Sequence, residues 1–319
     1  MKYTRNLVTK IQSGPDICLK KQKISSFICL TNAITRGDSY LEAIKSHLLF
    51  SDELVIVDGN STDGTLETIE KLDDPRIRIV TLDWPKEDWS WAEFATHWNL
   101  GYSSCTGDWV AAGETDHIWH PTEAARVVDF LNSPEYQNYD VLSAEKIQVI
   151  TIDRCYNKGG LPYFVNKAKN GDKIGYGHDP NKHTDLAVPI FKEKEIYPLF
   201  WEGTVVENNK KLRMKFWNYL WTFKTKDMIL KERLKGHNGW VKFYGKTKEY
   251  PGGPPRKHEY FVEQTSKDKF NKCNKLLAFS DHPDFMQSSI LEKLKPNMFG
   301  YNCCGMADHQ IPEDYFDKS

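Results

Sequence analysis

The chain lacks an excess of charge of either sign: 43 Lys and Arg stand against 44 Asp and Glu over 319 residues, a formal net charge of −1. A general nucleic-acid binder needs a basic footprint, so that class is excluded. Nowhere do eighteen apolar residues run together, which leaves no candidate membrane span. The stretch 1–23 is polar and basic, without the apolar run of a signal peptide. The expectation is a cytoplasmic protein, at most peripheral to a membrane. Paired cysteines are missing as well: Cys18, Cys29, Cys105, Cys155, Cys273, Cys303 and Cys304 include no Cys-x-x-Cys spacing. Neither a zinc ribbon nor a disulfide framework is indicated, and a reducing compartment fits best. Adjacent Cys303 and Cys304 read as two ordinary thiols ahead of a redox pair. No internal repeat or low-complexity tract is present.

What the chain does have is apolar material, 39% hydrophobic and 13% aromatic residues, enough for a real core. The length favours one core of roughly 200 residues plus an appendage. In the first half, strand and helix patterns alternate. Ile24 to Leu30 is a short apolar run suited to a buried strand, and Ser39-x-x-Glu42 is a capping box opening a helix with Leu41, Ile44 and Leu48 on one face. A strand at Glu53 to Val57 precedes a helix with Leu66, Ile69 and Leu72 in register. Ile77, Ile79 and Thr81 alternate as a strand should, and Ser90-x-x-Glu93 caps a longer helix. Trp109 to Gly113 is a fourth strand, followed by a helix from Pro121 carrying Ala124, Val127, Val128 and Leu131. This order needs crossover connections, hence an α/β fold with a mostly parallel sheet flanked by helices.

Past Asp140 the pattern loosens. Val141 to Ile152 reads as another strand, Asn166 to Asp185 as a loop, and Asp185 to Phe191 and Gly203 to Glu207 as short strands returning to the sheet. Pro251 to Pro255 reads as a loop, and helices are expected at Lys267 to Phe279 and Gln287 to Leu294. Composition turns basic and aromatic near residue 210. The division that follows is an extension at 1–23, a catalytic domain at 24–210 and a mainly helical accessory region at 211–319.

Two strands stop in carboxylates: Val55-Ile56-Val57-Asp58 before a Gly/Asn/Ser/Asp turn, and Trp109 to Gly113 before Glu114-Thr115-Asp116. In an open α/β sheet, ligands bind beyond the carboxyl ends of the strands. Acids at i and i+2 can share one hard divalent cation that leaves sites open for phosphate oxygens, which points to a nucleotide diphosphate held through a metal. Asp58 would accept from a base or ribose, and the small residues after it let a flat ring approach the backbone. The plainer reading of that turn is a strand-to-helix connection capped by Asp63.

Ile28-Cys29-Leu30-Thr31-Asn32, Val55 to Thr65, Asn99-Leu100-Gly101 with Gly107-Asp108-Trp109-Val110, and Glu114-Thr115-Asp116-His117 together resemble family 2 glycosyltransferases of the GT-A fold, well over 24–130 and loosely to 210. The resemblance implies nucleotide-sugar contacts from Thr31, Asn32, Asp58, Asn60, Asp63 and Asn99, with Glu114 and Thr115 on the diphosphate. It implies Mn²⁺ or Mg²⁺ on Glu114, Asp116 and His117. Glu114 stands where the family's Asp-x-Asp element begins with aspartate, and offers the same oxygens. His117 follows where an acid is common; it is either a ligand favouring Mn²⁺ or a hydrogen-bonding partner.

A cation there would neutralise the departing diphosphate. Members with an inverting single displacement also use a downstream carboxylate as base for the acceptor hydroxyl. Glu207, in Gly203-Thr204-Val205-Val206-Glu207, resembles a Gly-x-Val-His-Glu element with Val206 in place of histidine. Asp185 is its rival, with Asp179 behind; His258 and His237 read as surface histidines ahead of replacements for the missing histidine.

Among the aromatics, Trp91 and Trp98 lie at helical spacing with Phe94 and read as core, whereas Trp89 and Trp119 have polar neighbours and read as sugar contacts. The segment Lys210 to Lys224 mixes cations with Phe216, Leu220 and Phe223. It reads as an amphipathic helix, packed on the sheet or turned to a membrane that presents a lipid-linked acceptor; a carbohydrate or protein acceptor is equally open. Two other classes are considered. A sugar-phosphate nucleotidyltransferase would carry a Gly-rich signature after the first strand, and Leu30-Thr31-Asn32-Ala33 has none. A non-catalytic carbohydrate-binding relative is disfavoured by retention of both acids.

Overall fold

The computed structural model describes residues 21–84, 91–178, 188–197, 199–220, 222–224, 226–244, 269 and 271–293. Its first half follows the periodicities of the sequence. Strands β1 (Ile24–Leu30), β2 (Glu53–Asp58), β3 (Ile77–Thr81) and β4 (Trp109–Gly113) are separated by helices α1 (Tyr40–His47), α2 (Thr65–Glu70) and α3 (Trp91–Ser104). Crossover helices make such strands parallel, and β1 pairs in parallel with β2 and β4, and β2 with β3. Alternation splits their side chains between two layers. Phe27 packs with Val55, Val57 and, from α3, Trp98 and Tyr102. Ile28 and Leu30 pack with Leu54, Ile56 and, from α1, Ile44. Ser39 is the N-cap of α1 but makes no side-chain capping bond, so the expected capping box marks the helix start without forming there.

The rest of the chain is richer in strand than its composition indicates. After β5 (His117–Ile118) and α4 (Pro121–Asn132) come β6 (Val141–Thr151), β7 (Arg154–Asn166), α5 (Lys167–Asn170), β8 (Ile174–His178), β9 (Val188–Tyr197), β10 (Phe200–Val205) and β11 (Asn209–Asn218). Helix α6 (Lys226–Tyr244), β12 (Lys275–Leu276) and α7 (Asp284–Lys293) follow. The main sheet has the order β3-β2-β1-β4-β7-β6-β11-β5, with β12 against β7. β7 runs antiparallel to β4 and β6, and β11 runs parallel to β6.

Four expectations are corrected. Asn166 to Asp185 is not a loop throughout: α5 and β8 occupy 167–170 and 174–178. β9 and β10 do not return to the main sheet but close a small barrel with β8. Lys210 to Lys224 is not an amphipathic helix. Residues 209–218 form β11, with Leu212, Met214 and Phe216 buried alternately in the core beside α4. Their apolar side is committed to the protein interior, which removes the proposed membrane face. Within Lys267 to Phe279, the described residues include β12 instead of a continuous helix. The main sheet therefore runs past residue 210, where composition indicated a boundary. Helix α7 begins three residues before the expected Gln287 and seats Met286 and Ile290 in the core. Among the described residues no helix is long and apolar enough to cross a membrane. Pro251 to Pro255 and residues 1–20 lie outside the described residues.

Candidate active site

β2 delivers Asp58 and β4 delivers Glu114 to the same sheet edge. Leu30 of β1 pairs with Asp58 on one side, and Ile28 pairs with Gly113 on the other. With β1 alone between them, Asp58 and the Glu114 turn are separated by two strand spacings, about 10 Å. Asp58 is 1% exposed. Its carboxylate accepts from the Ser61 amide at 3.1 Å and the Ser61 hydroxyl at 2.6 Å, which folds the turn back over the strand end. Asn32 and Asn60 both hold left-handed backbone, φ 48° and 58°, a conformation asparagine tolerates better than most residues. Asn32 N–H donates to the Ser61 hydroxyl at 2.9 Å, and its side-chain carbonyl accepts from Thr62 N–H at 2.8 Å. Thr31 donates to the Gly59 carbonyl at 3.2 Å, and Asn60 donates to Asp83. The turn is thus stitched to the loop after β1. Gly59 is required by close approach, since a Cβ there would lie 2.7 Å from Cβ of Trp84. The Trp84 ring is backed by His97 of α3 at 4.3 Å.

Beyond Gly113 the chain turns sharply, with His117 N–H donating to the Glu114 carbonyl at 3.1 Å. That turn gathers three side chains. His117 Nε2 lies 3.6 Å from Glu114 Oε2 and 3.9 Å from Asp116 Oδ1. One ligand atom from each residue falls within 4.8 Å of the others. Glu114 is 40% exposed at its side chain, whereas Asp116 and His117 are buried. Both carboxylate oxygens of Asp116 and both ring nitrogens of His117 are buried without a hydrogen-bond partner. Such groups are costly unless something binds them. Burial, then the charge of Glu114, pushes the Asp116 carboxyl up to about 7. Burial, then Lys146, holds the His117 imidazole well below its ordinary range, so it is neutral with a lone pair available. Two hard carboxylates and one neutral imidazole are a donor set that fits Mn²⁺ or a similar divalent cation. The cluster and the Asp58 turn lie side by side, as sites for a phosphate-bearing ligand do in α/β sheets.

Residues 27–182 match the family model described as glycosyl transferase family 2. Over this segment, a little under half of the chain, the protein is similar to family 2 glycosyltransferases. The succinoglycan biosynthesis protein ExoO of Rhizobium meliloti (strain 1021) is 23% identical over 134 residues, 41% of this chain and 36% of that protein. The chain thus spans about a third of the curated relative it matches. Among solved structures, S. aureus TarS is similar at 13% identity and a TM-score of 0.40, over 87% of this chain and 50% of that one. The mannosyltransferase PcManGT of Pyrobaculum calidifontis, solved with GDP-Man and Mn²⁺, is similar at 11% identity and a TM-score of 0.36, over 85% and 79%. At such scores these likenesses add nothing to the geometry above.

Within the matched segment, several expected contacts are spent on the protein itself. Asn99 donates to the carbonyls of Tyr176 at 2.8 Å and Leu199 at 2.7 Å and accepts from Tyr176 N–H at 2.7 Å, so it clamps α3 to the small barrel instead of facing a nucleotide. The Thr115 hydroxyl donates to Asp38 at 3.0 Å instead of reaching a diphosphate. The N-cap of α2 is Gly64, with no side-chain capping bond, so Asp63 is not the cap that the plainer reading of the turn expects; its carboxylate accepts from Thr65 N–H at 3.1 Å and from Thr35 N–H at 2.7 Å. Trp119 is not a sugar contact: it is fully buried, with its N–H donated to the Tyr163 hydroxyl at 3.1 Å.

Glu207 does not reach the cluster. It precedes β11, whose Asn209 pairs with Val141 at the start of β6, whereas Asn218 at the other end pairs with His117. The length of β11, roughly 30 Å at about 3.3 Å per residue, separates Glu207 from His117. Asp185, Asp179, Trp89 and His258 lie outside the described residues, and His237 is on α6. Arg36, Asp38, Lys224 and Glu232 were missed. Burial alone would raise the Asp38 carboxyl, but Arg36 and then Lys224 hold it down at about 2. No local pattern marks these residues, because they meet only across the fold.

Proposed function

We propose that this chain is a metal-dependent glycosyltransferase that moves a sugar from a nucleotide-diphosphate donor to a hydroxyl acceptor by an inverting single displacement. One observation carries the reading: Asp116 and His117 present buried, unpartnered donor atoms beside Glu114, at the sheet edge that also holds Asp58. In this reading Glu114, Asp116 and His117 hold a divalent cation, which when bound supplies charge neutralisation for the departing diphosphate. The Asp58 turn receives the nucleoside, with Asn32 and Asn60 holding its shape and Trp84 walling one side. Low exposure around Asp116 excludes water, which strengthens these electrostatic contacts. The acceptor-side base of this reading is Asp185, Glu207 being at the far edge of the sheet.

The test is a thermal-shift series with UDP, GDP, CMP and dTDP sugars, with and without Mn²⁺, on the parent and on Asp116→Ala. Stabilisation of the parent by one nucleotide class, dependent on Mn²⁺ and lost in the variant, is the expected result. No stabilisation by any nucleotide would overturn the reading.

A further inference from the structure

Asp116 has a carboxylate that no protein group holds, since both of its oxygens lack hydrogen-bond partners. Its direction is therefore set by the main chain that carries it. Besides the pairing of His117 with Asn218, that turn is held by two partners from outside it. Tyr219 N–H, just past β11, donates to the Asp116 carbonyl at 3.0 Å. The neighbouring Thr115 hydroxyl donates to Asp38 Oδ2 at 3.0 Å.

Asp38 is itself fixed by a closed ring of charges. Its Oδ1 lies 2.7 Å from Lys224 Nζ, and its Oδ2 lies 3.0 Å from Arg36 Nε. Glu232 of α6 completes the ring, 2.5 Å from Lys224 Nζ and 3.4 Å from the Arg36 guanidinium. Two cations and two anions alternate, so each charge has opposite neighbours on both sides. Lys224 is 1% exposed and Asp38 6% exposed. At that depth a lysine is held only by such pairing, and loss of one member leaves the others uncompensated. The ring joins the loop after β1, the turn after β4, the segment after β11 and helix α6. Tyr219 thus touches the acidic turn directly at Asp116, and Lys224 reaches it through Asp38, which holds Thr115.

We propose that Lys224 is a positioning residue for the metal ligands: through Asp38 and Thr115 it fixes the turn that aims Glu114 and Asp116. The proposal rests on the metal-site reading above. It makes the segment beyond the family 2 match part of the binding machinery, not an appendage to it.

The experiment measures the affinity of the full chain for Mn²⁺ alone by calorimetric titration, together with its thermal midpoint. Thr115→Val removes one hydroxyl and keeps the shape. It should weaken Mn²⁺ binding about tenfold, the usual scale for groups that orient ligands, with the midpoint nearly unchanged. Lys224→Met should weaken Mn²⁺ binding at least as much and lower the midpoint, and Lys224→Arg should recover most of the affinity. If Lys224→Met does not fold, Thr115→Val decides alone. Parent-like Mn²⁺ affinity in folded Thr115→Val would overturn the proposal while leaving the metal site standing. Absence of Mn²⁺ binding by the parent would overturn both. Weaker nucleotide binding by Thr115→Val with Mn²⁺ affinity unchanged would return Thr115 to direct ligand contact.

Discussion

Gly113 ends β4 against the His47 imidazole, so closely that a Cβ there would lie 2.5 Å from Cε1 and 2.6 Å from Nε2 of that ring. His47 cannot give way easily. It is fully buried, and its Nε2 meets the Tyr163 hydroxyl at 3.0 Å, which in turn accepts from Trp119 at 3.1 Å. Burial pushes this imidazole down to about 3, so it stays neutral and rigidly placed. Gly113→Ala should cost about 1–3 kcal/mol by overpacking, read as a lower urea midpoint. Because Glu114 is the next residue, Mn²⁺ affinity should fall in the same variant. An alanine protein with parent-like stability and Mn²⁺ binding would show that the contact is slack.

The raised Asp116 carboxyl gives a pH signature. Its folded-state value of about 7 lies above the ordinary carboxylate range, so the folded state binds more protons than the unfolded one between about 4 and 7. Stability from this group is therefore present at low pH and is lost as pH rises through that window. Urea titrations across pH should show the parent losing stability relative to Asp116→Asn as pH rises, with the difference flat above about 7. The depressed His47 acts oppositely, losing stability as pH falls below the ordinary histidine range, but it affects both proteins and cancels. Saturating Mn²⁺ should abolish the slope. A difference that does not change with pH would mean that Asp116 is not protonated in the free protein.

Asn99 separates clamping from ligand binding. Asn99→Leu would leave the Tyr176 amide and the Tyr176 and Leu199 carbonyls without their partner, a loss of about 3 kcal/mol. Nucleotide affinity in the folded variant should stay near that of the parent. A marked loss of nucleotide affinity at unchanged stability would restore the direct contact that the family resemblance implies.

Glu207 offers the converse test. At the opposite sheet edge, Glu207→Gln should leave turnover within about twofold, the range of a surface change far from the chemistry. Loss of turnover with Mn²⁺ and nucleotide binding intact would mean that Glu207 reaches the acceptor after all.

The first half of the fold was legible because its signals are local. Ile24 to Leu30 and Glu53 to Asp58 are short apolar runs between helices of clear period, and a crossover helix admits only a parallel pairing. The acidic strand ends were legible for the same reason, since a strand that stops in Asp58 or before Glu114 must place them at one edge of the sheet. The second half misled where aromatic density outweighed period. Phe216, Leu220 and Phe223 have helical spacing, yet Leu212, Met214 and Phe216 alternate as a strand, and only the neighbouring β6 made the second pattern decisive. Glu207 was placed by its distance along the chain, which says nothing about which end of a strand it occupies.

The sequence by itself determined a helix-flanked α/β sheet, the carboxylates at its strand ends, and an imidazole next to them. Those follow from residue type and from spacing of a few positions, where the backbone leaves little choice. Only the tertiary structure decided which side chains remain without partners and which are spent on the protein. It buried Asp116 and His117 with no donors, committed Asn99 and Thr115, and brought Arg36, Asp38, Lys224 and Glu232 into one ring. Pairing between residues so far apart depends on how layers pack, and buried charge allows few arrangements once they do.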